Sequence, residues 1–176
     1  MSASGDRGRL PALTSVRFLA AMHVAMFHMF SMHLLEGRGW YRSLASVGYV
    51  GVSLFFVLSG FILVYTYAGR EMNARKFWRA RFARVYPAYA VSLLLTAPMF
   101  FYVCLVMKGG NIPFFAWFTQ HVALCAALVP LLLQSWVPNA ALAWNTPAWS
   151  LSVEASFYAV FPLLLLWASE MGIVRV

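Results

Sequence analysis

Apolar runs of membrane-crossing length alternate with short polar connections along this chain. The first runs from Leu13 to Leu35, LTSVRFLAAMHVAMFHMFSMHLL, and the second from Val47 to Tyr67, VGYVGVSLFFVLSGFILVYTY. Three more follow at Ala88–Met107, Phe114–Gln134 and Ser150–Ala168. As a helix, about 20 consecutive apolar residues cross the hydrocarbon core of a bilayer. The pattern therefore predicts an all-α fold, a polytopic transmembrane helix bundle with about five spans. Pro87 is expected to open the third span, where its missing N–H does little harm, and Pro98 to kink it. Gly48, Gly51, Gly60, Ser53 and Ser59 keep the second span slim. Helices in lipid need such small residues where they approach one another closely. The Ser59–Gly60 pair also marks a place where the helix can loosen.

The connections carry most of the charge. EGRGWYRS follows the first span, with Glu36, Arg38 and Arg42. AGREMNARKFWRARFARVYP follows the second and holds Arg70, Arg75, Lys76, Arg79, Arg81 and Arg84 against Glu71 alone. Connections rich in Lys and Arg stay in the cytoplasm. This segment and the N-terminus, with Arg7 and Arg9, are therefore expected on the cytoplasmic side. Two roles suit the cluster: a topology signal touching lipid headgroups, or a grip on the phosphates of an anionic cofactor, which arginine binds in bidentate fashion. Arg81 and Arg84 share a face if the segment is helical. The next charge-free connection, SWVPNAALAWNTPAW, carries Trp136, Trp144 and Trp149, residues that collect at membrane–water boundaries. Pro138 and Pro147 keep it from running on as one helix, and alternation of the spans would put it in the cytoplasm.

Ionisable groups also stand inside the spans. Arg17 and His28 are eleven residues apart, which at about 100° per residue is three turns plus roughly 20°. They project from one helix face, about 16 Å apart along the axis. His23 and His33 fall at about 240° and 160° from Arg17 and point elsewhere. An arginine at mid-span costs roughly 2.5–3.5 kcal/mol on the milder scales, so this face is expected to line a path into the bilayer. Ser150, Glu154 and Tyr158 are spaced by four and share a face of the fifth span. Glu154 needs a partner, and Arg17, His28 and the Arg81/Arg84 pair are the candidates. Two readings stay open for it: an ion-pair partner, or a group that orients or charges a catalytic side chain. His121 is expected to make a helix–helix hydrogen bond rather than a catalytic contact. Cys104 and Cys125 sit in apolar runs without His or carboxylate neighbours, which points to two buried free thiols and no metal.

Composition agrees with the pattern. The 176 residues are 62% hydrophobic and 10% charged, where a soluble domain has about 25% charged residues. The net charge of +8 sits beside apolar runs rather than over a polar surface, so no nucleic acid is expected as partner. The polar start MSASGDRGRLPAL and the charged interior of Leu13–Leu35 make a poor secretory signal, so that run is expected to be a true first span. Residues 1–176 are read as one membrane domain.

Four stretches resemble one family, the membrane-bound acyltransferase-3 family. Arg17-x10-His28 is similar to its arginine–histidine signature. GVSLFFVLSGF (Gly51–Phe61) resembles its second-span motif, with Ser53 where Asp is often found. RFARVYP (Arg81–Pro87) resembles its R-x-x-R-x-Y-P loop, and NTPAWSLSVEASFY (Asn145–Tyr158) its W-S-L-x-x-E-x-x-F-Y motif. The four occur in family order, and the chain corresponds to the N-terminal half of the family's usual length of about ten spans.

The resemblance implies an O-acyltransferase that moves an acyl group, expected to be acetyl, from acyl-CoA to a hydroxyl of a sugar, a glycan or a lipid-linked sugar. It makes Arg17 and His28 essential to acyl handling, puts Arg81 and Arg84 on the donor's phosphates, and sets Glu154 in the active region. His28 is then a general base or the acyl acceptor, Arg17 a phosphate ligand or an oxyanion partner, and Glu154 a group that orients His28 or holds the acceptor. Acetyl-CoA is a donor substrate here, and no metal or prosthetic group is implied. The implied location is the bacterial cytoplasmic (inner) membrane. Two other classes suit the residues: a proton-linked carrier, against which no repeated half with broken helices is visible, and a non-catalytic or inert fragment.

Overall fold

The computed structural model describes residues 11–31, 39–108 and 113–173. His33, Glu36, Arg38, Arg7 and Arg9, on which parts of the sequence reading fall, lie outside them. The described residues form α1 (Pro11–Ser31), α2 (Trp40–Ser46), α3 (Tyr49–Tyr67), α4 (Ala74–Phe101), α5 (Pro113–Gln120), α6 (Val122–Leu128) and α7 (Trp149–Glu170), with no strand among them. Among the described residues, four stretches are long and apolar enough to cross a membrane: Ala12–Ser31, Tyr49–Tyr67, Ala74–Val106 and Thr146–Glu170. The chain is an all-α integral membrane protein. It divides into two compact units, Met1–Glu71 with Met171–Val176, and Met72–Glu170.

In the first unit α1 packs on α3 through small residues. A Cβ added at Gly51 would stand 2.8 Å from Val24 Cγ2 and 3.1 Å from the Ala20 carbonyl oxygen. One added at Gly48 would strike Phe27 Cβ and stand 2.8 Å from the His23 carbonyl oxygen. No side chain larger than hydrogen fits at either position, which is what lets two helix backbones come this close. Gly60 differs: nothing lies within 4 Å of its missing Cβ, so it serves no close approach among the described residues.

In the second unit the arginine cluster is not a loop. Helix α4 starts at Ala74, with Asn73 as its cap: the Asn73 side-chain oxygen accepts the Lys76 N–H at 2.9 Å. Arg75, Lys76, Arg79, Arg81 and Arg84 of the cluster thus lie in the first turns of a 28-residue helix that continues through Pro87 and Pro98. An interior proline costs about 3 kcal/mol, and here the tyrosines flanking Pro87 anchor the helix. Tyr86 donates to the Pro130 carbonyl at 3.1 Å and Tyr89 to the Val129 carbonyl at 2.6 Å. Past Pro98, α4 widens into a π-helical turn, Tyr102–Val106.

The fourth apolar run is not one helix. Helices α5 and α6 are separated at His121 (φ −124°, ψ 32°), and the chain turns at Val129–Leu133, where Leu132 takes φ 57°. Pro130 ends α6, since it cannot continue the hydrogen-bond ladder. Among the described residues His121 bonds within its own segment and not between helices: its Nδ1 donates to the Trp117 carbonyl at 2.9 Å, and its ring stacks on Trp117 at 4.3 Å. Cys104 and Cys125 are free and buried, as expected from their setting.

The connection from Gln134 to Ala148 is folded into the unit as three short 3-10 turns, Gln134–Trp136, Pro138–Ala140 and Thr146–Ala148. Trp144 packs against the core of the unit. It takes φ 64°, stacks on Phe100 at 5.4 Å, and donates its Nε1–H to the Leu93 carbonyl at 3.1 Å. A bulky residue in the left-handed region costs on the order of 1–3 kcal/mol, and those two contacts offset it. Asn145 next to it donates to Ser92 Oγ at 3.0 Å. Non-helical backbone survives in an apolar setting only when its polar groups are satisfied inside the protein.

Candidate functional site

Within the first unit, Arg17 and His28 lie on the face of α1 that packs. Leu13, Arg17, Ala20, Val24, Phe27 and His28 are buried or half-buried, at spacings of three and four, while Phe18 (67%), Leu19 (57%) and Met22 (48%) are exposed between them. The shared face read from the sequence is therefore the face seated on Gly48 and Gly51 of α3. His23, expected to point elsewhere, is also half-buried: its Nε2 donates to the Leu44 carbonyl of α2 at 2.6 Å. A basic side chain with this structural task has no sequence signal beyond its place in the span.

The second unit brings Arg81, Glu154 and Tyr158 together. All three line a groove of about 290 Å3 between α4 and α7, otherwise lined by apolar and aromatic side chains such as Phe82, Val85, Leu132 and Leu151. Tyr158 donates its hydroxyl hydrogen to Glu154 Oε1, as the spacing of four allowed. The Arg81 guanidinium carbon lies 5.4 Å from the Phe77 ring centre and 5.6 Å from that of Tyr158. Arg84, one turn along, is exposed and does not line the groove. The two arginines share a helical segment but not an environment.

The chain around Trp149–Tyr158 is held by side-chain to backbone bonds. Ser152, fully buried, donates to the Leu132 carbonyl at 2.7 Å and accepts the Ser135 N–H at 3.2 Å. Ser135 Oγ donates to the Trp149 carbonyl at 2.7 Å, and Trp136 Nε1 donates to Ser156 Oγ at 2.9 Å. Gln134, 1% exposed, donates to the Ala148 carbonyl at 3.3 Å. The serines of this stretch therefore set where α7 begins and so where Glu154 stands. Sequence reasoning singled out Glu154 but passed over Ser152 and Phe77, because their partners are remote in the chain.

Comparison with known proteins adds the chemical class. A family model described as an acyltransferase domain, that of the acyltransferase-3 family, matches residues 10–174. The chain is 35% identical over 163 residues to Acyltransferase MdmB of Streptomyces mycarofaciens, covering 88% of this chain and 39% of that protein. It is 34% identical over 164 residues to Protein 2 in picA locus of Rhizobium radiobacter, covering 87% and 81%. Against Peptidoglycan O-acetyltransferase OatA of Listeria monocytogenes it is 28% identical over 175 residues, covering 92% and 25%. The chain thus spans well under half the length of two of these relatives and most of the third. No solved structure matches it.

Proposed function

The chain belongs to the acyltransferase-3 family, and from that premise we propose that it takes part in moving an acyl group, acetyl in the first instance, from acyl-CoA to a hydroxyl of a sugar, a glycan or a lipid-linked sugar. The observation that carries the proposal is the packed face of α1, on which Arg17 and His28 are half-buried. Arginine and histidine are costly in a span and tend to be functional there. The names of two relatives, an acyltransferase and a peptidoglycan O-acetyltransferase, support the reaction class and a glycan acceptor.

The reaction must remove a proton from the acceptor hydroxyl, stabilise the carbonyl oxygen as it gains charge, and release the CoA thiolate. His28 takes that proton as a general base, or accepts the acyl group itself before passing it on; imidazole suits both tasks near neutral pH. Arg17 faces the developing negative charge or a donor phosphate. Arg81 and Arg84 hold the anionic donor, and Glu154 holds the acceptor hydroxyl. The location is the bacterial cytoplasmic membrane, with the arginine-rich start of α4 on the cytoplasmic side, as the positive-inside rule favours.

The test is His28→Ala and Arg17→Ala in the full-length protein, with ester-linked acetyl groups on envelope glycans measured. Each variant is expected to lose at least about a hundredfold in acetylation, the scale of a missing general acid–base or oxyanion group. Wild-type acetylation in either variant defeats the assignment of that residue.

A further inference from the structure

Tyr158 touches both charged groups of the groove, and none of the chemistry above uses it. Its hydroxyl donates to Glu154 Oε1. Its ring carries the Arg81 guanidinium, which stands over Phe77 as well. The ring is itself held in place: it meets Phe77 edge-on at 6.1 Å, and Phe77, 2% exposed, stacks on Phe161 at 5.4 Å. The backbone is held too, since the Tyr158 carbonyl accepts the Trp78 Nε1–H at 3.0 Å. Arg81 Nε is sealed from solvent without a hydrogen-bond partner. No bond at Nε orients that guanidinium, and the Phe77 and Tyr158 rings stand against it. Cations over aromatic faces are held most strongly where water is excluded.

We infer that Tyr158 is a positioning residue that couples the arginine of α4 to the carboxylate of α7. The hydroxyl fixes the Glu154 carboxylate, and the ring fixes the plane of Arg81. Two groups carried by different helices are thereby presented to one groove in a fixed relation. The inference rests on the acyl-CoA reading above, and it divides the work of a single side chain between its two ends. The hydroxyl end serves the step in which Glu154 takes part, and the ring end serves grip on the anionic donor.

The experiment uses the full chain in native membranes, with acetyl-CoA as donor and CoA release as the readout. Tyr158→Phe keeps the ring and loses the hydroxyl. It is expected to lower kcat about tenfold or more, the scale of a lost hydrogen bond to a charged group, and to leave KM for acetyl-CoA within about twofold. Tyr158→Leu loses both ends and is expected to raise that KM about fivefold as well. Arg81→Lys keeps the charge without the flat guanidinium, and it is expected to raise KM with little change in kcat. Thermal unfolding of each variant in detergent accompanies the kinetics, and a fall in kcat and a rise in KM that merely follow lost stability overturn the role. So does full kcat in Tyr158→Phe, or an unmoved KM in both Tyr158→Leu and Arg81→Lys. Absence of CoA release from the wild-type protein overturns the donor reading itself, and this role with it.

Discussion

The two units hold their charged side chains in opposite ways. On α1, Arg17 and His28 depend on backbone proximity: α3 presents Gly48 and Gly51, and the helices close on them with no room for a Cβ. On α7, Glu154 depends on direct polar contact: Tyr158 bonds it, and Ser152, Ser135 and Trp136 tie down the helix that carries it. The first arrangement tolerates almost no added volume and the second almost no lost hydrogen-bonding group. A lipid setting offers both solutions, since close packing of small residues and satisfaction of polar groups inside the protein are its two main sources of specificity.

The contrast can be broken most severely at Gly51. Gly51→Val places new carbon atoms against Val24 and the Ala20 carbonyl, between Arg17 and His28 on the facing helix. Overpacking of this kind costs about 1–3 kcal/mol, and a shift of about 1 Å at a reacting group costs on the order of a hundredfold in rate. Acyl transfer per folded molecule is expected to fall about a hundredfold, measured beside the amount of folded protein in detergent; unchanged transfer would mean the α1 face is not seated by this contact. Ser152→Ala probes the other unit. It removes no volume of consequence but leaves the Leu132 carbonyl and the Ser135 N–H without their partner. A loss of about 1–3 kcal/mol is expected, read as a lowered Tm in detergent, and a Tm equal to wild type would contradict it. Gly60→Ala sharpens the contrast by its smallness. With open space around the missing Cβ, it is expected to leave activity unchanged and to add up to about 1 kcal/mol through helix propensity. A large activity loss there would show that α3 uses Gly60 for something other than packing.

Much of the fold was legible along the chain because membrane helices announce themselves by length and apolarity. Runs at Leu13–Leu35, Val47–Tyr67 and Ser150–Ala168 correspond to α1, α3 and α7. The fourth run misled because its apolar character is continuous while its backbone is not. Pro130 was the available signal, and uniform hydrophobicity hid it. The arginine-rich segment misled in the other direction, since its charge resembled a connection although Ala, Arg and Lys are good helix formers. Of the site residues, Arg17 and His28 were legible as a pair because helical geometry alone puts them on one side. The bond between Tyr158 and Glu154 was legible as a shared face for the same reason.

The sequence by itself determined what is local or periodic: an all-α membrane chain, the α1 face with its guanidinium and imidazole, and the small residues of α3 able to meet a neighbour. Only the tertiary structure decided what depends on partners far away in the chain. It showed that Arg81 rests on the rings of Phe77 and Tyr158 while Arg84 is exposed, that Trp144 packs inward on Phe100, and that Ser152 anchors the turn at Leu132. The physical reason is that an apolar setting rewards every satisfied polar group, but residue order does not say which remote carbonyl or ring will satisfy it.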